Sequence, residues 1–249
     1  MEIKEQTLEV LSKAKHVAIL TGAGVSAESG IKTFRDPDGL WAKFNPQELA
    51  SVEGFMANPE LVWEWYRHRV DIVNSSEPNP GHYAIAEMQQ MFEKCTVITQ
   101  NVDRLHQRAG ATNVYELHGN IIDNHCLDCS EPFNGETALD DKQLPKCEKC
   151  GGFVRPSVVW FGEMLPVDAL QASEIAAETC NVFFSVGTSS EVYPAAGLPF
   201  IARQAGAYVI EVNPNNTYLS SYCNDKLAER SGIALPLLIK KLKQYTGDK

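Results

Sequence analysis

A chain of 249 residues with 44% hydrophobic and 22% charged side chains can bury a sizeable core as one large domain, and its composition is that of a globular protein. The formal net charge of −10 argues against a DNA- or RNA-binding protein, because phosphate binding needs a basic surface. No apolar run approaches the roughly 20 residues of a membrane span, and the acidic N-terminus is unlike a signal peptide. We therefore expect no nucleic-acid or membrane partner, a cytoplasmic location and a monomer.

Hydrophobic periodicity predicts helices and strands that alternate along most of the chain. Asn58–Pro59 and Asn79–Pro80 are each typical of a helix start, since asparagine caps free N–H groups and proline suits the first turn. The predicted helices cover residues 3–14, 59–75, 80–91, 166–178, 194–205 and 232–246. The predicted strands cover residues 16–21, 95–100, 114–117, 181–186 and 207–212. This alternation predicts an α/β fold, a Rossmann-like parallel sheet with helices on both faces.

Two segments interrupt the alternation of strands and helices. One is helical, and the other is richer in Cys, Lys, Asp and Gly than its flanks. We predict that they form a small domain, made of a helical insertion at 42–75 and a zinc-ribbon module at 121–156. The Rossmann-like domain then consists of residues 1–41, 76–120 and 157–249.

Four of the seven cysteines form two pairs, Cys126-x-x-Cys129 and Cys147-x-x-Cys150, with 17 residues between them. This spacing is typical of a structural zinc site with four thiolates, which leaves no open position for chemistry. A redox dithiol or two disulfides would be alternatives, but a redox pair normally stands alone and disulfides are disfavoured in a reducing cytosol. We expect His125 to flank the first pair rather than replace a ligand.

The predicted strand 16–21 is followed by Gly22-Ala-Gly-Val-Ser-Ala27, the Gly-x-Gly-x-x-Ala form of the dinucleotide fingerprint. Its glycines permit a tight turn and let the main chain approach a pyrophosphate. Hydride-transferring enzymes also carry an acidic residue at the end of the next strand, about 20 residues on. This chain instead has a loop, Phe34-Arg-Asp-Pro-Asp-Gly-Leu-Trp41. The pattern indicates an NAD site that is not built for hydride transfer.

In an open parallel sheet, ligands bind at the edge formed by the carboxyl ends of the strands. Glycine, amide, hydroxyl, carboxylate or imidazole groups follow all five predicted strands. These exits are Gly22–Ala27, Gln100–Asp103, His118–Asn120, Gly187–Ser189 and Asn213–Asn215. Any one exit could be an ordinary turn, but five together favour a binding site.

These segments strongly resemble the sirtuins, a family of NAD-dependent protein-lysine deacylases, and the resemblance covers nearly the whole chain in order. The segments that carry it are Gly22-Ala-Gly-Val-Ser-Ala-Glu-Ser-Gly30, Phe34-Arg-Asp36, Thr99-Gln-Asn-Val-Asp103, Glu116-Leu-His-Gly119, Arg155-Pro-Ser-Val-Val-Trp-Phe-Gly162 and Gly187-Thr-Ser189. The resemblance implies that NAD is consumed. The acyl oxygen of a modified lysine expels nicotinamide, a histidine deprotonates a ribose hydroxyl, and the products are free lysine and O-acyl-ADP-ribose.

The resemblance also implies roles for individual residues. His118 matches the general base, and an imidazole that titrates near neutral pH suits that task. Asn101 and Asp103 match the residues that hold nicotinamide and its ribose, and we count Asn101 with His118 as catalytic. The expected NAD contacts are Gly22, Ala23, Gly24, Ser26, Ala27, Phe34, Arg35, Trp41, Gln100, Asn101, Val102, Asp103, Gly187, Thr188, Ser189, Asn213, Pro214, Asn215 and Ser231.

The expected protein substrate carries an acyl-lysine. By resemblance, its main chain lies as an added strand between Val159-Trp-Phe161-Gly162 and the loop 190–193. Tyr66 and Arg69 are three residues apart on a predicted helix and so share a face, where a phenol and a guanidinium suit a carboxylate. This pair matches the sirtuin subgroup that removes succinyl and malonyl groups. Arg69 could instead belong to the solvated face of an amphipathic helix.

Other functions are compatible with parts of this pattern. A hydride-transfer dehydrogenase would need the missing acidic residue, and a zinc-ribbon binding module would need a basic surface where residues 126–150 are acidic on balance. A plain deacetylase stays open, as does a sirtuin that transfers ADP-ribose to protein. The sequence therefore predicts removal of succinyl and malonyl groups, with acetyl also accepted.

Overall fold

The computed structural model describes residues 2–33, 46–134 and 144–247. Its α-helices are α1 (Glu5–Lys13), α2 (Ala23–Ala27), α3 (Pro46–Leu49), α4 (Val52–Ala57), α5 (Pro59–Ser75), α6 (Pro80–Met91), α7 (Leu105–Arg108), α8 (Val167–Thr179), α9 (Leu198–Gln204) and α10 (Ser231–Thr246). Its strands are β1 (His16–Thr21), β2 (Lys94–Thr99), β3 (Val114–Glu116), β4 (Gly119–Cys126), β5 (Pro132–Phe133), β6 (Val154–Val158), β7 (Val182–Val186), β8 (Tyr208–Val212) and β9 (Asp225–Leu227).

Within the described residues, the larger sheet has six strands in the order β3-β2-β1-β7-β8-β9, and every neighbouring pair is parallel. The chain builds outward from β1 in one direction and then from β7 in the other. This reversal of strand order is the switch point at which Rossmann-like sheets bind ligands. The predicted α/β fold is confirmed.

Helices cover both faces of this sheet, because alternate residues of a strand point to opposite sides. In β1, Val17 and Ile19 pack into one buried cluster with residues of α1, α6 and α10. Ala18 and Leu20 belong to a second cluster with residues of α8 and α9. Strand β1 is therefore buried along its whole length, as a sheet covered on both faces requires.

A third apolar core lies outside the large sheet. It joins α4 and α5 to a small antiparallel sheet with the order β5-β4-β6. Phe55, Trp63 and Trp160 are among its fully buried side chains, together with Ile121 and Val154. Asn58 caps α5 by accepting a hydrogen bond from the Leu61 N–H, as the sequence predicts. This core supports one wall of the cleft described below.

The structure differs from the predicted elements in a few places. The predicted helix 194–205 is a 3₁₀ turn at Ala195–Gly197 followed by the shorter α9. Strand β9 was not predicted, because its sequence, Asp225-Lys-Leu227, contains no apolar run. Among the residues that the structure describes, no helix is long and apolar enough to cross a membrane.

Candidate active site

A cleft of about 1080 Å³ lies at the carboxyl ends of the parallel strands, between the large sheet and the third core. Most of the predicted site residues line it. They are Gly22, Ala23, Gly24, Ala27, Tyr66, Arg69, Gln100, Asn101, Val102, His118, Val159, Phe161, Gly187, Thr188, Ser189, Asn213, Pro214, Asn215 and Ser231. Ser26, Asp103 and Gly162 are not in its wall, and Phe34, Arg35 and Trp41 lie outside the described residues.

The glycine loop after β1 packs directly on the loop after β7. The Gly24 N–H donates to the Gly187 carbonyl oxygen at 2.8 Å, and the Gly22 N–H donates to the Val186 carbonyl oxygen at 3.0 Å. A Cβ atom at Gly24 would lie 2.8 Å from Gly187 Cα, which is closer than a side chain can approach. These glycines are needed for the contact between the two loops. The two loops meet at the switch point of the sheet, where β1 and β7 are neighbours.

Asn101 connects the exit of β2 to the glycine loop. Its side-chain N–H₂ donates to the Gly22 carbonyl oxygen at 3.0 Å and to Ser26 Oγ at 3.1 Å. Ser26 Oγ in turn donates to Asp103 Oδ2 at 2.7 Å. The second oxygen of Asp103 accepts the Leu105 N–H at 2.9 Å. Ser26 and Asp103 are buried behind the wall, so they orient the loop rather than line the cleft.

The half-buried His118 lies in the wall at the exit of β3, and its ring has a defined tautomer. Nδ1 lies 3.0 Å from the Gln100 carbonyl oxygen, and since a carbonyl can only accept, Nδ1 carries the hydrogen. The lone pair is therefore on Nε2. Burial lowers the pKa of this imidazole, and the hydrogen bond to Gln100 opposes that shift. Burial therefore favours the neutral ring, which is the form that can accept a proton.

The part of the wall formed by the loops after β7 and β8 and by the start of α10 is held by hydrogen bonds that side chains donate. Asn213 Nδ2 donates to the Thr188 carbonyl oxygen at 2.9 Å, and Gln100 Nε2 donates to Thr188 Oγ1 at 3.1 Å. Ser231, at the start of α10, donates from Oγ to Glu28 Oε1 at 3.1 Å. Glu28 also lines the cleft. Helix α10 is thus joined to the segment that follows the glycine loop.

Tyr66 and Arg69 of α5 line the cleft from the side of the third core. Tyr66 is 1% exposed and Arg69 is 8% exposed, so Arg69 does not belong to a solvated helix face. The Arg69 guanidinium carbon lies 4.7 Å from the centre of a Trp65 ring. Burial raises the pKa of the Tyr66 hydroxyl and lowers the pKa of Arg69. A phenol and a buried cation therefore share this end of the cleft.

The four cysteine sulfurs of the predicted zinc site lie within 4.8 Å of one another. The separations are 3.4 Å for Cys126–Cys150, 3.5 Å for Cys129–Cys150 and 3.7 Å for Cys129–Cys147. A tetrahedral zinc ion with bonds of about 2.3 Å places its sulfur ligands roughly 3.8 Å apart. The set fits zinc, and all four cysteines are free of disulfides. His125 is not part of it, since its Nδ1 bonds to Ser157 Oγ at 2.8 Å.

Some residues of the wall were not predicted as site residues. Trp65 and Trp160 flank Tyr66 and Arg69, and Glu28 reaches the start of α10. Trp160 belongs to the segment that the resemblance places beside the substrate main chain, but a single sequence does not distinguish the side chain of either tryptophan from that of an ordinary core residue. A signal did exist for Glu28, which directly follows the glycine fingerprint in the chain.

The fold and the site define a class of protein. A glycine loop at the switch point of a parallel sheet, polar strand exits and a cleft of this size fit NAD, and the four-cysteine ribbon fits one structural zinc ion. The sequence model of the Sir2 family matches residues 22–194. The chain belongs to the Sir2 family and is a sirtuin-type enzyme.

Known relatives match over nearly the full chain. The NAD-dependent protein deacylase of Aquifex aeolicus is 49% identical over 94% of this chain and 98% of its own length. A Sir2 homologue in complex with NAD is 43% identical, with a TM-score of 0.92 over 98% of this chain and 96% of its own. A complex of Sir2 with a p53 peptide and NAD⁺ is 29% identical, with a TM-score of 0.86 over 99% of this chain and 100% of its own.

Proposed function

We propose that this protein is an NAD-dependent protein-lysine deacylase that removes succinyl and malonyl groups and also accepts acetyl-lysine. The observation that carries the proposal is the position of Tyr66 and Arg69. Both line the cleft that also contains His118 and the glycine loop. A carboxylate receptor in the same cleft as the proposed base and the NAD loop fits an acyl-lysine that ends in a carboxylate.

NAD would lie along the exits of the parallel strands. Gly22, Gly24 and Gly187 would place main-chain atoms beside its phosphates, and Ser189, Asn213 and Ser231 would hold the adenosine end. The other predicted NAD contacts in the wall are Ala23, Ala27, Gln100, Val102, Thr188, Pro214 and Asn215. When bound, NAD supplies the ADP-ribose that accepts the acyl group and releases nicotinamide.

His118 would act as the general base through Nε2. The Gln100 carbonyl holds Nδ1–H and so leaves Nε2 as the basic nitrogen, while burial lowers the pKa and favours the neutral ring. Asn101 would position the glycine loop for catalysis, because both of its amide hydrogens are used within the protein. Asp103 would act indirectly, by accepting the hydrogen bond that orients Ser26.

The substrate main chain would lie at the mouth of the cleft, beside Val159, Phe161 and Gly162. The Val159 N–H donates to the His118 carbonyl oxygen at 2.9 Å, which holds the end of β6 against the loop of the proposed base. Phe161 and Val192 of the loop 190–193 both line the cleft, and they are 55% and 38% exposed. Exposed apolar side chains on both segments suit a peptide that is added as a strand.

At the acyl end, Tyr66 and Arg69 would bind the terminal carboxylate. Arginine offers a planar fork that matches a carboxylate, and a phenol adds one more donor. Burying the Arg69 cation away from water costs free energy, and a carboxylate ligand would offset part of that cost. Acetyl-lysine lacks the carboxylate but fits in the space that a longer acyl group would occupy.

We also propose that residues 42–75 and 121–156 form the small domain, next to a Rossmann-like domain of 1–41, 76–120 and 157–249. The third core supports this division, since it joins α4 and α5 to β4 and β6. It also includes Val158 and Trp160, so its packing extends just past residue 156. A monomeric state and a cytoplasmic location stay predictions from the sequence.

The proposal is tested with matched succinyl-lysine and acetyl-lysine peptides, NAD, and mass spectrometry of the products. The wild type should release nicotinamide and form O-succinyl-ADP-ribose. Arg69→Met should lower kcat/KM for the succinyl peptide by about 10- to 100-fold, the value of one charge-assisted hydrogen bond in a buried site, with a much smaller effect on the acetyl peptide.

Arg67→Met is the matched control for this substitution. Arg67 is on the same helix, lies 5.8 Å from a Trp63 ring and is not in the wall of the cleft, so the ratio of the two activities should not change. Activity on the acetyl peptide alone would show a plain deacetylase. ADP-ribose attached to protein in place of O-acyl-ADP-ribose would show the transferase alternative.

A further inference from the structure

Trp160, two residues beyond the end of β6, makes a hydrogen bond that bears on the acyl end of the cleft. Its indole Nε1 lies 2.7 Å from the Tyr66 hydroxyl oxygen. Both side chains are almost fully buried, at 2% and 1% exposure. Both also line the cleft, so the bond lies in its wall.

This bond determines how the Tyr66 hydroxyl is used. An indole N–H can only donate, so the phenol oxygen must be the acceptor. The hydroxyl hydrogen is then left to donate elsewhere, and within the described part of the chain Trp160 is the hydrogen-bond partner of Tyr66. Without the indole N–H, the hydroxyl oxygen of Tyr66 would lose the donor that holds the hydroxyl in one orientation. Tyr66 is thereby kept as a donor, which is what a carboxylate ligand needs.

The indole itself is held from two sides. The buried guanidinium of Arg155 lies over the Trp160 ring, with its carbon 3.3 Å from the ring centre. Arg155 also donates to both carboxylate oxygens of Glu163 and to the Val158 carbonyl oxygen at 2.6 Å. Glu163 accepts the Trp160 main-chain N–H at 2.7 Å. Ring and main chain are both fixed, so the indole N–H has a defined direction.

We propose that Trp160 is a specificity-determining positioning residue: its indole N–H orients the Tyr66 hydroxyl so that this hydroxyl and Arg69 donate together to the carboxylate of the acyl group. The inference rests on the proposed function, because it concerns the preference for succinyl and malonyl over acetyl. Trp160 acts through Tyr66, and the effect on the reacting atoms is indirect. The remote carboxylate contributes to binding, so KM should change more than kcat.

The test compares the succinyl/acetyl ratio of kcat/KM in Trp160→Phe and in Trp63→Phe. Phenylalanine keeps an aromatic ring but removes the N–H. Trp160→Phe should lower the ratio by about 3- to 10-fold through a higher KM for the succinyl peptide, the value of one neutral hydrogen bond. Trp63→Phe loses an equally buried N–H, which donates to the Val154 carbonyl oxygen at 3.0 Å, and should leave the ratio unchanged.

A double-mutant cycle separates positioning from loss of folding. In a Tyr66→Phe background, Trp160→Phe should have no further effect on the ratio, because the hydroxyl that it orients is gone. An unchanged ratio in Trp160→Phe, or the same change with and without the Tyr66 hydroxyl, would overturn the inference. Arg69→Met is measured alongside. If Arg69→Met lowers the ratio and Trp160→Phe does not, only the positioning role of Trp160 fails. If Arg69→Met leaves the ratio unchanged, the proposed function fails.

Discussion

The two ends of the cleft are built in different ways. At the strand exits, the wall is formed by main-chain atoms and by short side chains that bond to them, such as Asn101 to the Gly22 carbonyl and Asn213 to the Thr188 carbonyl. At the acyl end, the wall is formed by large side chains from α5 and from the end of β6. The first end depends on main-chain atoms and small residues, and the second depends on which large side chains are present.

This difference teaches where each property of the enzyme can vary. A site of main-chain atoms tolerates few changes, because a Cβ at Gly24 meets the Gly187 main chain at 2.8 Å. A site of buried side chains can change its ligand by exchange of one residue. Arg69 is buried there at a cost in desolvation, so under the proposed function its exchange should change acyl selectivity more than any change at the strand exits.

Removal of zinc should have the largest effect. Cys126 and Cys147 are part of the third core, so metal loss should loosen the packing that holds α5 and Trp160 and abolish activity on both acyl peptides. Hydrogen exchange should rise in β4, β6 and α5 while β1, β2 and β7 stay protected. The measurements are metal content, exchange and activity after chelation or in Cys147→Ser. Full activity after proven metal loss would contradict a structural zinc site.

His118→Ala should lower kcat by about 10²- to 10⁴-fold, the usual contribution of a general base, with little change in NAD binding. In the wild type, the neutral imidazole is the active form, and burial lowers its pKa. Activity should therefore be full near neutral pH and be lost as the pH falls, with a midpoint below about 6.5, the ordinary histidine value. Steady-state kinetics from pH 5 to 8 check this. An acid limb centred above 6.5 would refute the assignment.

Gly24→Ala should have a smaller effect on activity, and this effect should appear in the KM for NAD. The added Cβ forces the loops after β1 and β7 apart, so KM for NAD should rise about tenfold for both acyl peptides alike, the cost of a modest overpacking. Gly197→Ala is the control, because a Cβ there meets only Tyr193 Cε1 at 3.9 Å. A change in the succinyl/acetyl ratio of kcat/KM with Gly24→Ala would contradict the division of the cleft into two independent ends.

Prediction from sequence succeeded where the signal is local. The strands β1, β2, β7 and β8 were found within one or two residues, because each is a short apolar run bounded by turn residues. The four cysteines were found by their spacing. Strands β4, β5, β6 and β9 were not found, since they are short or irregular and β4 pairs with β6 only through the fold, which places His125 beside Arg155. The third core joins segments about 100 residues apart, which no local pattern reveals.

The sequence by itself determined the class of fold, the glycine loop, the zinc ligands and the polar exits of the parallel strands. Each of these depends on residue type and on spacing along the chain, and parallel strands bring their exits to one edge of any such sheet. Two features emerge only in the folded molecule: Arg69 is buried in the cleft, and Trp160 donates to Tyr66 across 94 residues of chain. Burial and hydrogen-bond direction depend on which elements pack together, and packing is a property of the whole fold.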